Sequence, residues 1–284
     1  MTDSFPIEIT GLVKKYGGVP AVDHLDLRVR TGTVHGFLGP NGSGKSTTIR
    51  SLLGLIRPDA GTLRLLGHDP TAHPAAATRR VAYVPGDVAL WPHLTGAEAL
   101  ATLARLRDRH HGDNPARRAE LIERFQFDPS KRIRAYSKGN RQKVMLIAAL
   151  AADADVLVFD EPTSGLDPLM EREFGACLRE RVNEGASVLL SSHILSEVQE
   201  LADDISIIRA GKLVESGRLE DLTHLRGSRI VATLPDGSVH DHLYPAAEVP
   251  NQLQKLLNAS ATGITCTSAG LDDIFLDHYK EQAS

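Results

Sequence analysis

The sequence predicts an α/β fold in which parallel strands alternate with helices and antiparallel hairpins flank them. Three features of the chain point to it. A glycine-rich loop at 39–47 lies between a short apolar strand and a segment with helical periodicity. Apolar runs at 155–160 and 187–191 each lead into a further helical segment. Apolar runs on either side of a glycine turn, as at 205–208 and 213–214 around Gly211, read as hairpins.

The elements follow in order. Ile7 and Ile9 alternate, Gly11, Gly17 and Gly18 punctuate, and Leu25, Leu27 and Val29 alternate again. This predicts an antiparallel hairpin or meander with Tyr16 in its connecting loop. Residues 33–38 form the strand that enters the glycine-rich loop. Ile49, Leu52, Leu53 and Ile56 then recur at i, i+3, i+4 and i+7 and give the next helix one apolar face. Residues 57–61 are a turn, 62–66 a strand, and 81–85 another strand that Pro85 ends. From Thr95 alanine, leucine and arginine dominate, with Leu100 and Leu103 at helical spacing. Further helices are expected at 116–125 and 143–152, and His110 and His111 between them read as surface loop. Pro168 opens a helix carrying Phe174, Cys177, Leu178 and Val182, which Gly185 closes. Leu195, Val198 and Leu201 mark the next. Past Gly217 a hairpin turns at 235–237, Leu253, Leu256 and Leu257 suit a short helix, and 264–267 suits a strand. Ile274, Phe275 and His278 line one side of a closing helix over 271–279. The predicted organisation is one domain over 1–220, with a helical subdomain at about 87–153, and a small α+β domain over 221–284.

Bulk chemistry narrows the class. Hydrophobic residues at 42% and charged residues at 24% fit a soluble globular protein. No apolar run approaches the ~20 residues of a membrane helix, and the first residues lack the basic and apolar regions of a signal peptide. Cys177 and Cys266 have neither metal-ligand spacing nor a disulfide framework, which suits a reducing cytoplasm. A net charge of −4 argues against nucleic acid as a partner. Basic residues nevertheless crowd the stretch from Arg105 to Lys143. A solvated helical surface is the simpler reading, and a face toward phosphate or an anionic membrane the sharper one.

Gly39-Pro-Asn-Gly-Ser-Gly-Lys-Ser-Thr47 fits the phosphate-loop pattern G-x-x-x-x-G-K-[ST] throughout. The backbone of this run, from Gly39 through Pro40, Asn41, Gly42, Ser43 and Gly44 to Thr47, is expected to curl the N–H groups it has around a phosphate. Lys45 adds charge for the outer phosphates, and the Ser46 hydroxyl is a ligand for Mg²⁺. The helix that follows starts where its free amides favour an anion. Strand 155–160 ends in Asp160 and Glu161: the first suits the metal, and the second suits a base that polarises an attacking water. His193 ends another strand at the same sheet edge, where it can contact the γ-phosphate or orient that water.

Together these motifs resemble the ATP-binding cassette family over about residues 7–217. Tyr136-Ser-Lys-Gly-Asn-Arg-Gln142 is similar to the family signature, L-S-G-G-Q. Asp160-Glu-Pro-Thr-Ser-Gly-Leu-Asp-Pro168 runs into the family's aspartate loop at Asp167, Ser191-Ser-His193 matches its histidine switch, and Tyr16 its adenine-stacking aromatic. The resemblance implies a P-loop NTPase cassette: a mixed sheet, an antiparallel β edge and a helical signature subdomain, with ATP and Mg²⁺ as cofactors. It implies a head-to-tail homodimer, in which each site takes the phosphate loop, Glu161 and His193 from one subunit and Ser137, Gly139 and Asn140 from the other. It also implies a separate integral-membrane permease that holds the subunit at the cytoplasmic face of the membrane. The stretch 85–95, the signature and the tail around 271–276 look like bacterial subunits that export drugs, antibiotics or polysaccharides, with Trp91 and Leu94 in the groove that receives the permease. An importer subunit, a soluble cassette ATPase acting on ribosomes or DNA, and a nucleotide-binding subunit with little turnover are the alternatives. Two positions depart from the family pattern: Gly86 stands where glutamine is usual, and Lys138 where glycine is usual.

Overall fold

Alternating and continuous apolar runs in this chain build two kinds of sheet. The computed structural model describes residues 5–107, 112–222 and 227–268. The helix expected at 271–279 and the histidines at 110 and 111 lie outside the described residues. β1 (Ile7–Tyr16) and β2 (Val19–Val29) form the expected antiparallel hairpin. Tyr16 closes β1 opposite Val19 rather than sitting in the loop. β3 (Val34–Leu38) is buried at every position. α1 (Lys45–Leu52) stops before Ile56, because Gly54 turns the chain at a φ of 69°. Ile49, Leu52 and Leu53 are buried as predicted, while Ile56 lies past the helix.

β4 (Ala60–Leu65) returns to pair with β1, and α2 (Pro74–Thr78) is too short to show a period. β5 (Val81–Val84) then precedes the helical region of α3 (Gly96–Arg107), α4 (Pro115–Arg124) and α5 (Lys138–Leu150). α5 begins at Lys138 rather than 143. The Ser137 side chain caps it by accepting the Asn140 amide at 3.2 Å. Its first turn is polar, so hydrophobic spacing gave no sign of it. Strands and helices alternate after that: β6 (Val156–Asp160), α6 (Pro168–Asn183), β7 (Ser187–Ser192), α7 (Leu195–Leu201), then the hairpin β8 (Asp204–Arg209) and β9 (Lys212–Arg218).

The central sheet has the order β5-β6-β7-β3-β8-β9, parallel except for β9. Both of its faces are covered, which is why its inner strands read as continuous apolar runs. On β6 the pleat sends Leu157 and Phe159 to the core shared with α5 and α6, and Val156 and Val158 to the core shared with α1. The second core also receives Ile7, Leu25 and Leu63 from the antiparallel sheet β2-β1-β4. A third small core of Ile230, Ala232 and Leu256 belongs to β10 (Ser228–Thr233), β11 (Val239–Tyr244), α8 (Val249–Asn258) and β12 (Thr262–Ser268).

The arginine-rich stretch finds its counter-ions far along the chain. Arg124 pairs with Glu173 at 2.5 Å and Glu180 at 2.6 Å on α6, and Arg117 pairs with Glu184 at 2.7 Å. Arg118 pairs locally with Asp113 at 2.6 Å. Arg117 and Arg124 clamp α4 to α6, so part of the local positive charge is an internal ion-pair ladder.

One buried titratable group stands out. His35 on β3 is 3% exposed, and its Nε2 lies 2.8 Å from the Ser206 hydroxyl. Nearby, Arg30 grips Asp204 through two bonds of 2.6 and 2.7 Å. Burial pushes the His35 imidazole down to about 4. The unfolded chain therefore takes up this proton near pH 6.5 and the folded chain only near 4, so stability falls as pH drops through that window. Urea unfolding should show His35 removing about 2 kcal/mol between pH 7 and pH 5. His35→Gln should lack that component, and an unchanged pH slope in the variant would disprove the assignment.

Candidate nucleotide site

The phosphate loop leaves β3 and is gripped from two sides. The Gly39 amide donates to Ser192 O at 3.2 Å, and the Ser43 amide donates to Pro40 O at 3.1 Å. A Cβ on Gly39 would lie 2.3 Å from Ile208 O, so only glycine lets the loop pass β8 this closely. Gly44 has a φ of 112°, and a Cβ there would lie 2.5 Å from Ala21 O on β2. The Gly211 amide donates to Ser43 O at 2.9 Å, while the Asp23 amide donates to Gly211 O at 2.8 Å. The β8–β9 turn thus bridges the loop to β2. Val22 pairs with Lys14, two residues before Tyr16, so the hairpin carries Tyr16 along the flank of the loop. The Tyr16 ring is 52% exposed with Lys14 Nζ 5.5 Å from its centre, which leaves ring surface free for stacking.

Lys45 is 5% exposed and donates to Gly39 O at 2.6 Å and Pro40 O at 3.2 Å. Burial lowers its basicity, and the neighbouring Glu161 and Asp160 carboxylates counter that. The Ser43 hydroxyl is buried without a hydrogen-bond partner, an orphan that a phosphate oxygen would satisfy.

Asp160 and Glu161 arrive at the end of β6, beside β7. Ser191 Oγ donates to Asp160 Oδ1 at 2.5 Å, and the Glu161 amide donates to Ser191 O at 3.1 Å and Ser191 Oγ at 3.2 Å. Glu161 holds a left-handed φ of 51°, a conformation that costs a non-glycine residue on the order of 1–3 kcal/mol. The turn aims its carboxylate back over the sheet edge. There Oε1 pairs with Lys45 Nζ at 3.4 Å, and Oε2 lies 3.2 Å from His193 Nδ1. Phosphate-loop lysine, glutamate and histidine thus form one connected chain. Gly86 lies at the same edge, where a Cβ would come within 3.1 Å of Asp160 O. The Ser46 hydroxyl and the Asp160 carboxylate are hard oxygen donors, the type that suits Mg²⁺.

The signature residues gather elsewhere. Ser137 caps α5, and Gly139 and Asn140 lie in its first turn, with Ser137 exposed. Among the described residues, their contacts run to the 161–167 loop and not to the phosphate loop. A Cβ on Gly139 would lie 2.3 Å from Gly165 O. The Asp167 carboxylate accepts the amides of Leu169 and Met170 at 3.1 Å each and caps α6. Ser191 and Gln142 stand inside the motifs named above, but sequence reasoning assigned neither a role. Ser191 is a buried polar residue closing an apolar strand, and that contrast is its signal. Gln142 is 1% exposed and donates to Pro162 O at 2.9 Å, where it braces the loop behind Glu161.

The ABC transporter family matches residues 22–164. The daunorubicin/doxorubicin resistance ATP-binding protein DrrA of Streptomyces peucetius is 37% identical, with 94% of this chain and 81% of that protein covered. The bacitracin transport ATP-binding protein BcrA of Bacillus licheniformis is 35% identical over 74% of this chain and 68% of its own length. A solved ATP-binding subunit of an ABC transporter superposes with a TM-score of 0.70 at 29% identity, covering 77% of this chain and 91% of that one. With its phosphate loop set at the carboxyl edge of a mixed sheet, beside Glu161 and His193, the chain belongs to the ABC transporter family and is an ATP-hydrolysing cassette of that family.

Proposed function

We propose that this cassette powers a separate membrane permease that exports a drug, an antibiotic or another hydrophobic compound. The likeness to DrrA along 94% of the chain carries the direction and the substrate class. Among the described residues no helix is long and apolar enough to cross a membrane. Trp91 is 38% exposed and stands near Leu94, which supports reading this loop as the surface that receives the permease. The subunit then works at the cytoplasmic face of the membrane. The separate core of Ile230, Ala232 and Leu256 supports treating 221–284 as an accessory domain beside a cassette of 1–220.

In this reading Gly39–Thr47 cradle the phosphates, Ser46 and Asp160 hold Mg²⁺, and Tyr16 stacks on adenine. Mg²⁺ supplies charge neutralisation on the phosphate oxygens. Glu161 accepts the proton of the attacking water, and its strained turn and the bonds its amide donates to Ser191 keep the carboxylate at the sheet edge. His193, whose Nδ1 lies 3.2 Å from Glu161 Oε2, orients that water and the γ-phosphate. The exposed start of α5, with Ser137, Gly139 and Asn140, faces the nucleotide of a second copy, where free helix amides favour an anion. Asp167, capping α6 beside it, belongs to the same dimer surface. ATP then joins two chains, and hydrolysis parts them. Gly86 contributes no side-chain ligand, so water or Asp87 would fill that side of a bound Mg²⁺.

Two measurements test this. Glu161→Gln keeps the hydrogen-bonding shape and removes the base: turnover should fall about 10²-fold or more, and an ATP-bound dimer should accumulate in size-exclusion chromatography. Unchanged turnover would remove Glu161 from the role of base. Affinity purification from native membranes should recover a polytopic membrane protein, and recovery of ribosomes instead would overturn the transport reading.

A further inference from the structure

Lys138, one of the two departures from the family pattern, has a defined contact. It sits at the first position of α5, where the positive end of the helix disfavours a cation, and no acidic residue offsets it in that turn. Its ammonium does not reach toward the phosphate loop. Lys138 Nζ donates to Ser164 Oγ at 2.8 Å. Its Cγ and Cδ run alongside Gly165, 3.6 Å from where a Cβ there would stand. Gly165 has a φ of 87°, and its carbonyl presses on Gly139, the next residue of the same helix turn. One turn further, Gln142 holds Pro162 O. The start of α5 therefore grips the 161–167 segment at Pro162, Ser164 and Gly165.

That segment begins at Glu161, which pairs with Lys45 and His193, and ends at Asp167, the cap of α6. Within it the Ser164 amide donates to Glu161 O at 3.3 Å and the Leu166 amide to Thr163 O at 2.9 Å. It is a compact run of turns, so a displacement at Ser164 is passed on to Glu161. The Gln142 and Gly139 contacts involve backbone carbonyls. The Lys138–Ser164 bond is the exposed contact made between two side chains, which a small movement can make or break.

We propose that Lys138 is a positioning residue that ties the signature of one subunit to that subunit's own catalytic glutamate, through Ser164, and so links the two ATP sites of the dimer. The inference rests on the dimer reading above, in which the start of α5 meets the partner's nucleotide. When that nucleotide arrives, α5 shifts against it, and the Lys138–Ser164 bond carries the shift to Glu161 in the other site. Each site then turns over best when both are filled.

The test is ATP hydrolysis against ATP concentration for the full chain and for Lys138→Met, Ser164→Ala, the double variant and Lys138→Arg, with dimer formation followed in parallel by light scattering. The parent chain should show a Hill coefficient approaching about 2, the ceiling for two sites. Lys138→Met and Ser164→Ala should each bring it to about 1 while the ATP-dependent dimer still forms. The double variant should be no worse than either, because both remove one interaction. Lys138→Arg, which keeps a long cationic donor, should retain cooperativity. Two outcomes overturn the proposal: cooperativity that survives Ser164→Ala, or a Lys138→Met defect confined to dimer formation, which would place the lysine on the partner's phosphate instead. If the parent chain forms no ATP-dependent dimer, the dimer reading fails and this inference falls with it, a result distinct from an intact dimer with unlinked sites.

Discussion

The end of β7 is the part on which the site depends. Ser191 and Ser192 bind both neighbouring strands past the sheet: Ser192 O takes the Gly39 amide, and Ser191 takes the Glu161 amide and bonds Asp160. The phosphate loop, Asp160, Glu161 and His193 are thereby brought to one edge by backbone geometry. The parallel register of β6, β7 and β3 sets this up, with Asp160 opposite Ser191 and Leu38 opposite Ser192. A one-residue slip would turn every inward side chain outward and part Glu161 from Lys45. Burial on both faces prevents such a slip, since Leu157 and Phe159 serve one core and Val156 and Val158 the other.

Placing Glu161 here carries a cost. Its left-handed backbone is disfavoured for a side chain of that size, and the two bonds from its amide to Ser191 hold it there. The same turn starts the segment that α5 grips and ends where Asp167 caps α6. Glu161, the start of α5 and Asp167 are therefore parts of one mechanical unit. The α4–α6 ion pairs fix the other side of that unit, because Arg124 and Arg117 tie the helical region to the helix that Asp167 begins.

Much of this was legible in the chain. The phosphate loop, the two acids at the end of β6, His193 and the strand-helix alternation follow from local patterns whose period or spacing has a direct physical meaning. What stayed hidden depends on partners distant in sequence. The arginines of α4 look like a basic surface until α6 folds against them. The start of α5 has no apolar period, and its cap at Ser137 shows only once the turn is formed. The helix after the phosphate loop was expected to reach Ile56, but the positive φ of Gly54 ends it sooner. Gly86 is explained in part by its neighbour: the close approach to Asp160 O favours the smallest residue there.

The central claim is that one working site is built from two chains, and mixing two inactive chains tests it most directly. Lys45→Ala removes a phosphate loop and leaves the signature intact, while Ser137→Arg blocks the exposed start of the signature and leaves its own chain's phosphate loop intact. Each variant alone should hydrolyse ATP at background rate, and a mixture should recover activity through the one intact composite site of the mixed dimer. A mixture as inactive as its parts, or Ser137→Arg active alone, would contradict the account.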